Sequence, residues 1–96
     1  MEATLLKKLF GRDKREAIIL YTQPTCADCH AAKSFLTERG VSYTDRDMTA
    51  DPAAESDLRK ILDGRLMTPT LVVGKEILIG FARNRARLEE LFPRQQ

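Results

Sequence analysis

The run Ala17-Ile18-Ile19-Leu20-Tyr21 is continuous, apolar and rich in β-branched residues, which predicts a central strand buried on both faces. Just after it the period changes. From Cys26 to Arg39 the apolar positions Ala31, Ala32, Phe35 and Leu36 fall on one helical stripe, and Gly40 supplies a C-terminal stop. Val41 to Asp47 alternates and reads as a second strand. Asp51-Pro52 then offers an N-cap and a proline at the first helical position, for a helix running through Leu58, Ile61 and Leu62 to Gly64. Thr70–Val73 and Ile77–Ile79 are short strands on either side of Gly74-Lys75-Glu76, a hairpin. A last helix takes Asn84 as its cap, buries Ala86, Leu88, Leu91 and Phe92, and ends at Pro93. Ahead of everything, Leu5/Leu9 and Leu6/Phe10 are i,i+4 pairs that allow a short amphipathic helix over 2–10. Alone it is too short to persist, so it either docks on the body or frays.

The first two strands are joined by a helix, so they should lie parallel with a right-handed crossover, and the last two should form an antiparallel hairpin. The expected architecture is α/β, a four-stranded mixed sheet flanked by helices, with residues 1–16 as an N-terminal extension and 17–93 as the domain. A chain of 96 residues has room for one such domain and not for two. Its 16 basic and 14 acidic side chains leave a net charge of only +2, which gives no reason to expect a nucleic-acid or membrane surface. No apolar run reaches the roughly 18 residues a membrane helix needs. Lys7 and Lys8 interrupt the apolar residues near the start, which lack the continuous block of a secretory signal. The expected location is the cytoplasm.

Two cysteines are too few for the disulfide framework of a small secreted domain, and in a reducing compartment a close pair points to catalysis or metal binding. They stand in Thr25-Cys26-Ala27-Asp28-Cys29-His30, at the junction of the first strand and its helix. Thr25 is the expected N-cap, with Asp28 at the capping-box spacing. Cys26 would then open the helix, where unpaired N–H groups and the helix dipole favour a thiolate, the attacking species. Cys29 lies three residues on, on the same face, within reach of Cys26. Asp28 suits a helix start, yet its charge opposes a neighbouring thiolate. His30 is expected to point away from Cys26, as a solvated or packed helix residue.

Other chemistries fit the same residues less well. Cys26-Ala27-Asp28-Cys29-His30 spells the c-type haem attachment signature, but that modification requires export and a helix-dominated shell. The two cysteines and His30, the single histidine, give three metal ligands where structural zinc takes four. A metal or iron–sulfur cluster would have to bridge two subunits, and such a carrier is the alternative to redox catalysis. A third possibility is a binding module whose interface the cysteine pair switches.

Tyr21-Thr22-Gln23-Pro24-Thr25-Cys26, Cys29-His30-Ala31-Ala32-Lys33, Thr68-Pro69-Thr70 and Gly80-Phe81 together resemble the glutaredoxin family, over about residues 17–92. Within it the chain is similar to the NrdH-redoxins, small electron donors of ribonucleotide reductase. The resemblance implies a thioredoxin-like fold and a thiol–disulfide oxidoreductase, with Cys26 as nucleophile and Cys29 as resolving thiol. It implies a cis Thr68–Pro69 peptide facing the cysteines and a substrate-binding set of Thr25, Thr68, Pro69, Gly80 and Phe81, the ring of Phe81 serving either the groove or the core. It also implies no permanently bound cofactor, protein disulfides as substrates (ribonucleotide reductase among them), and electrons from thioredoxin reductase or glutathione. Two departures argue against strong glutathione binding. Gln23 stands where many relatives carry lysine, and Gly80-Phe81-Ala82-Arg83-Asn84 replaces the glycine-pair and aspartate signature of true glutaredoxins. NrdH-redoxins usually carry an aromatic residue before Gly-Phe and Arg-Pro-Asp after it. Here Leu78 and Ile79 precede the pair, and Ala82 intervenes before Arg83. Arg83, Arg85 and Arg87 form either a rim for an acidic partner or a solvated face.

Overall fold

A computed structural model describes residues 17–94. The extension 1–16, with its expected helix, lies outside the described residues. The elements run β1 (Ile18–Thr22), α1 (Ala27–Glu38), β2 (Thr44–Asp47), α2 (Pro52–Ile61), β3 (Thr70–Val73) and β4 (Glu76–Ile79). A 3-10 turn (Ala82–Asn84) then leads directly into α3 (Arg85–Leu91). The sheet order is β2-β1-β3-β4, with β1 and β2 parallel and the other two pairings antiparallel. This is the mixed sheet the alternating pattern predicts.

The two-residue side-chain period of the strands divides the core in two. Ile18 and Leu20 of β1, Leu71 and Val73 of β3 and Leu78 of β4 face α1 and α3, packing with Ala32, Phe35, Leu36, Leu88 and Phe92. Their neighbours Ile19, Tyr21, Val72 and Ile79 face the other way, onto Met48, Ala54, Leu58 and Leu62. Each fully buried leucine or phenylalanine among these contributes about 1.5–3 kcal/mol relative to exposure. Both faces of the central strands are therefore covered, as a continuous apolar run requires.

One boundary, two burial positions and one cap differ from the expected ones. β2 starts at Thr44 rather than Val41, because the preceding residues close the end of α1. Gly40, at φ +68°, donates to Thr37 O (3.0 Å), and Val41 donates to Leu36 O (2.9 Å). That paired closure takes up Val41 before any strand can begin. Ala31 and Ala86, expected on buried stripes, are exposed. Asn84 does not cap α3 with its side chain; its Nδ2 donates to Ile79 O (2.7 Å) and Gly80 O (2.8 Å), bracing the loop after β4. Asp51 does cap α2, accepting Ala53 N–H at 3.0 Å.

Candidate active site

β1 carries the chain to Thr22, and a turn closed by Cys26 N–H on Gln23 O (3.3 Å) redirects it into α1. This turn uses up Thr25, which is exposed and does not cap the helix as expected. Cys26 is the N-cap instead: its backbone is extended (φ −101°, ψ 109°), and its Sγ accepts Cys29 N–H at 3.1 Å. Sequence reasoning ranks oxygen side chains first at this position and so missed the sulfur. The correction moves Cys26 one residue ahead of the helix and aims its sulfur at an N–H that would otherwise be unpaired. Cys26 is partly exposed, Cys29 is fully buried at 0%, and both are reduced.

Burial pushes the Cys29 thiol from its ordinary 9.0 up to about 11, reinforced by its hydrogen bond to Cys26 and the charge there. Contacts with the Gln23 backbone and the Thr68 side chain pull the other way. Between pH 9 and 11 the unfolded chain loses this proton while the folded one keeps it, so stability falls as pH rises through that window. The expected loss is about 2–3 kcal/mol by pH 11. Denaturant titrations of the reduced protein at pH 8.5 and 11 should show it, and Cys29→Ala should abolish the part due to this thiol.

Two further segments close around the pair. Thr68–Pro69 is a cis peptide, as the resemblance implies, and the Thr68 side chain is near enough to Cys29 to act on its thiol. Pro69 is buried, and its carbonyl accepts Gly80 N–H at 2.7 Å, joining this loop to the one after β4. Gly80 has φ +90°, a conformation that favours glycine, and a Cβ there would also press on the flexible Arg83 side chain at 3.0 Å. The Phe81 ring belongs to the core, 4% exposed and 5.5 Å from Phe35, and only its backbone faces the site. Of the expected site residues, Cys29, Thr68, Pro69 and Gly80 are linked by these contacts.

Asp28 plays a part that local spacing could not reveal. Its Oδ2 accepts Phe81 N–H at 2.7 Å and Ala82 N–H at 3.3 Å, tying the first turn of α1 to the Gly80 loop. His30 donates from Nε2 to Pro24 O at 2.9 Å and remains exposed, the solvated form of the expected solvated or packed helix residue. Behind the turn, buried Thr22 donates to Asp45 (2.7 Å), whose other oxygen pairs with Lys33 (2.7 Å). The arginine row is not a bare positive rim: Arg85 pairs with Glu89, and Arg87 with Glu76 and Glu90. Among the described residues no group of three or more His, Cys, Asp or Glu side chains is placed to hold a metal ion. A cluster on Cys26 and Cys29 would have to find its remaining ligands elsewhere.

Two cysteines at a strand–helix junction, one presented and one buried, beside a cis-proline loop, define a thioredoxin-fold dithiol protein. The glutaredoxin family model matches residues 18–78, and the chain belongs to the glutaredoxin family. It is similar to the thioredoxin-like protein BC3987, with 36% identity, a TM-score of 0.69, and coverage of 77% of this chain and 97% of that one. The NrdH-redoxin from Escherichia coli is 26% identical at a TM-score of 0.63, covering 75% of this chain and 92% of that protein. The Gene 56 protein of Mycobacterium phage D29 is 31% identical over 64 residues, which is 67% of this chain and 71% of the phage protein. The global transcriptional regulator Spx 1 of Bacillus cereus is 36% identical over 45 residues, 47% of this chain. The match spans about a third (34%) of that regulator's length. Among the described residues no helix is long and apolar enough to cross a membrane.

Proposed function

We propose that this protein is a dithiol reductase of protein disulfides, with Cys26 as nucleophile and Cys29 as resolving thiol. The observation that carries this reading is the contrast between them: a presented sulfur held by Cys29 N–H at 3.1 Å, above a buried thiol pushed up to about 11. The Cys26 thiolate attacks one sulfur of a substrate disulfide. That S–S bond breaks, the leaving thiolate takes a proton from water, and a mixed disulfide forms. Cys29 then gives up its proton, attacks the Cys26 sulfur and releases the second substrate thiol. Two electrons have passed to the substrate, and the protein holds a Cys26–Cys29 disulfide. The order of events is built into the pair. Once Cys26 is consumed in the mixed disulfide, its charge and its hydrogen bond no longer hold the proton on Cys29.

The likeness to NrdH-redoxin and the departures at Gln23 and Gly80-Phe81 favour thioredoxin reductase over glutathione as the electron source, with ribonucleotide reductase among the candidate substrates. A cytoplasmic location accords with a pair that must be kept reduced. NADPH consumption with a model protein disulfide tests this directly, comparing thioredoxin reductase with glutathione plus its reductase. Turnover with thioredoxin reductase that vanishes in Cys26→Ser is expected. Turnover with glutathione alone would overturn the donor assignment, and activity surviving in Cys26→Ser would overturn the nucleophile.

One observation favours a second reading. The likeness to Spx regulators fits a module whose Cys26–Cys29 bond switches a binding surface. Such a module would close its disulfide on oxidation without forming a covalent adduct with a polypeptide.

A further inference from the structure

Asp28 stands between the cysteines in the sequence, and the partners of its carboxylate are backbone N–H groups of the loop after β4. The N–H groups of Phe81 and Ala82 are both donated to its Oδ2, at 2.7 and 3.3 Å. The same loop is fixed from its other side by Asn84, and Gly80 N–H is held by Pro69 O, next to Thr68. Asp28 therefore has two effects at once. It spends internally the loop donors of Phe81 and Ala82 that a substrate carboxylate would need, and it puts a carboxylate in the first turn of the helix that Cys26 caps.

We propose that Asp28 is a specificity-determining residue, which turns the dithiol away from small anionic disulfides and toward neutral or cationic ones, including exposed protein disulfides without acidic neighbours. Like charges repel, and a carboxylate-bearing substrate finds the Phe81 and Ala82 N–H groups already spent on Asp28. The inference rests on the dithiol-reductase reading, and the affected step is its first exchange. In that step the Cys26 sulfur bonds to one substrate sulfur, the substrate S–S bond breaks and the departing thiolate is protonated by water. Asp28 forms no bond in this exchange. It acts by setting which disulfide can approach.

The test compares three small disulfides of similar chemistry and different charge: oxidised glutathione (anionic), 2-hydroxyethyl disulfide (neutral) and cystamine (cationic). Reduction is followed with dithiothreitol recycling the wild type, D28N and D28A. The wild type should prefer cystamine to oxidised glutathione, and the preference should weaken with salt. In D28N and D28A the ratio of the two rates should fall by at least about fivefold, whatever the change in the rate with the neutral disulfide. D28N preserves shape, so it decides the matter if D28A folds poorly. A merely structural role would slow all three disulfides together and leave the ratio unchanged, and that result would overturn the proposal. A wild type that reduces a model protein disulfide but none of the three overturns this proposal alone; one that reduces neither overturns the dithiol-reductase reading as well.

Discussion

Cys29→Ser is expected to turn the protein into a covalent trap. Cys26 in this variant still attacks a protein disulfide, but no second thiol exists to release the product. A mixed disulfide should accumulate, visible as a higher band on a non-reducing gel and removed by dithiothreitol. Steady-state turnover should drop at least about a hundredfold, because residues that act as one unit fail together. The buried position of Cys29 makes the experiment clean. Serine replaces it in a site of 0% exposure, and its hydroxyl cannot exchange with the mixed disulfide as a thiolate does. Cys26→Ser is the matched control and should give no adduct. An adduct in that control would move the nucleophile to Cys29. Absence of an adduct in Cys29→Ser, with a disulfide still closing in the wild type on oxidation, would favour the interface switch suggested by the Spx likeness.

Much of this arrangement is legible in the residues alone, and the parts that are not share a physical cause. The succession of strands and helices follows from patterns read within single elements, while the order of strands in the sheet comes from the structure. A buried run at 17–21, a helical stripe through Phe35 and Leu36, and a glycine-containing hairpin after Val73 leave few alternatives. The cysteine pair is legible for the same reason, since its spacing is local. The side chains read incorrectly are those whose partners are distant or of an unexpected type. Asp28 has the spacing of a capping box, and its partner lies 53 residues away at Phe81. Asn84 precedes α3 and looks like a cap, yet it acts as a donor to two carbonyls on its N-terminal side. Thr25 loses the cap to Cys26 because a tight turn ends at Cys26, a geometric fact that no propensity scale contains. The loop bearing Gly80 was singled out by resemblance, but its attachment to Asp28 and Pro69 had to be seen in three dimensions.

Phe35→Ala is expected to be the most destabilising single change near the site, at about 3–5 kcal/mol. The ring fills the space between α1, the sheet and the loop after β4. It packs at 5.5 Å against Phe81, and the guanidinium groups of Arg39 and Arg85 lie over it at 4.3 and 5.6 Å. Alanine would leave a cavity walled by rigid strands, which collapse poorly. It would also remove the surface that supports Arg39, a side chain only 3% exposed that donates to Phe92 O and pairs with Glu89. A domain of this size holds about 5–15 kcal/mol in all, so the change consumes a large share of it. Thermal unfolding should shift down by roughly 4–8 °C for each kcal/mol lost. Phe35→Leu keeps most of the volume and should cost less than half as much. The effect should also reach the chemistry. Phe81 is anchored by its ring to Phe35 and by its N–H to Asp28, so a loosened ring frees the loop that Asp28 grips. Urea titrations followed by circular dichroism measure the stability, and a loss under about 1 kcal/mol would show that Phe35 is not the support this packing implies.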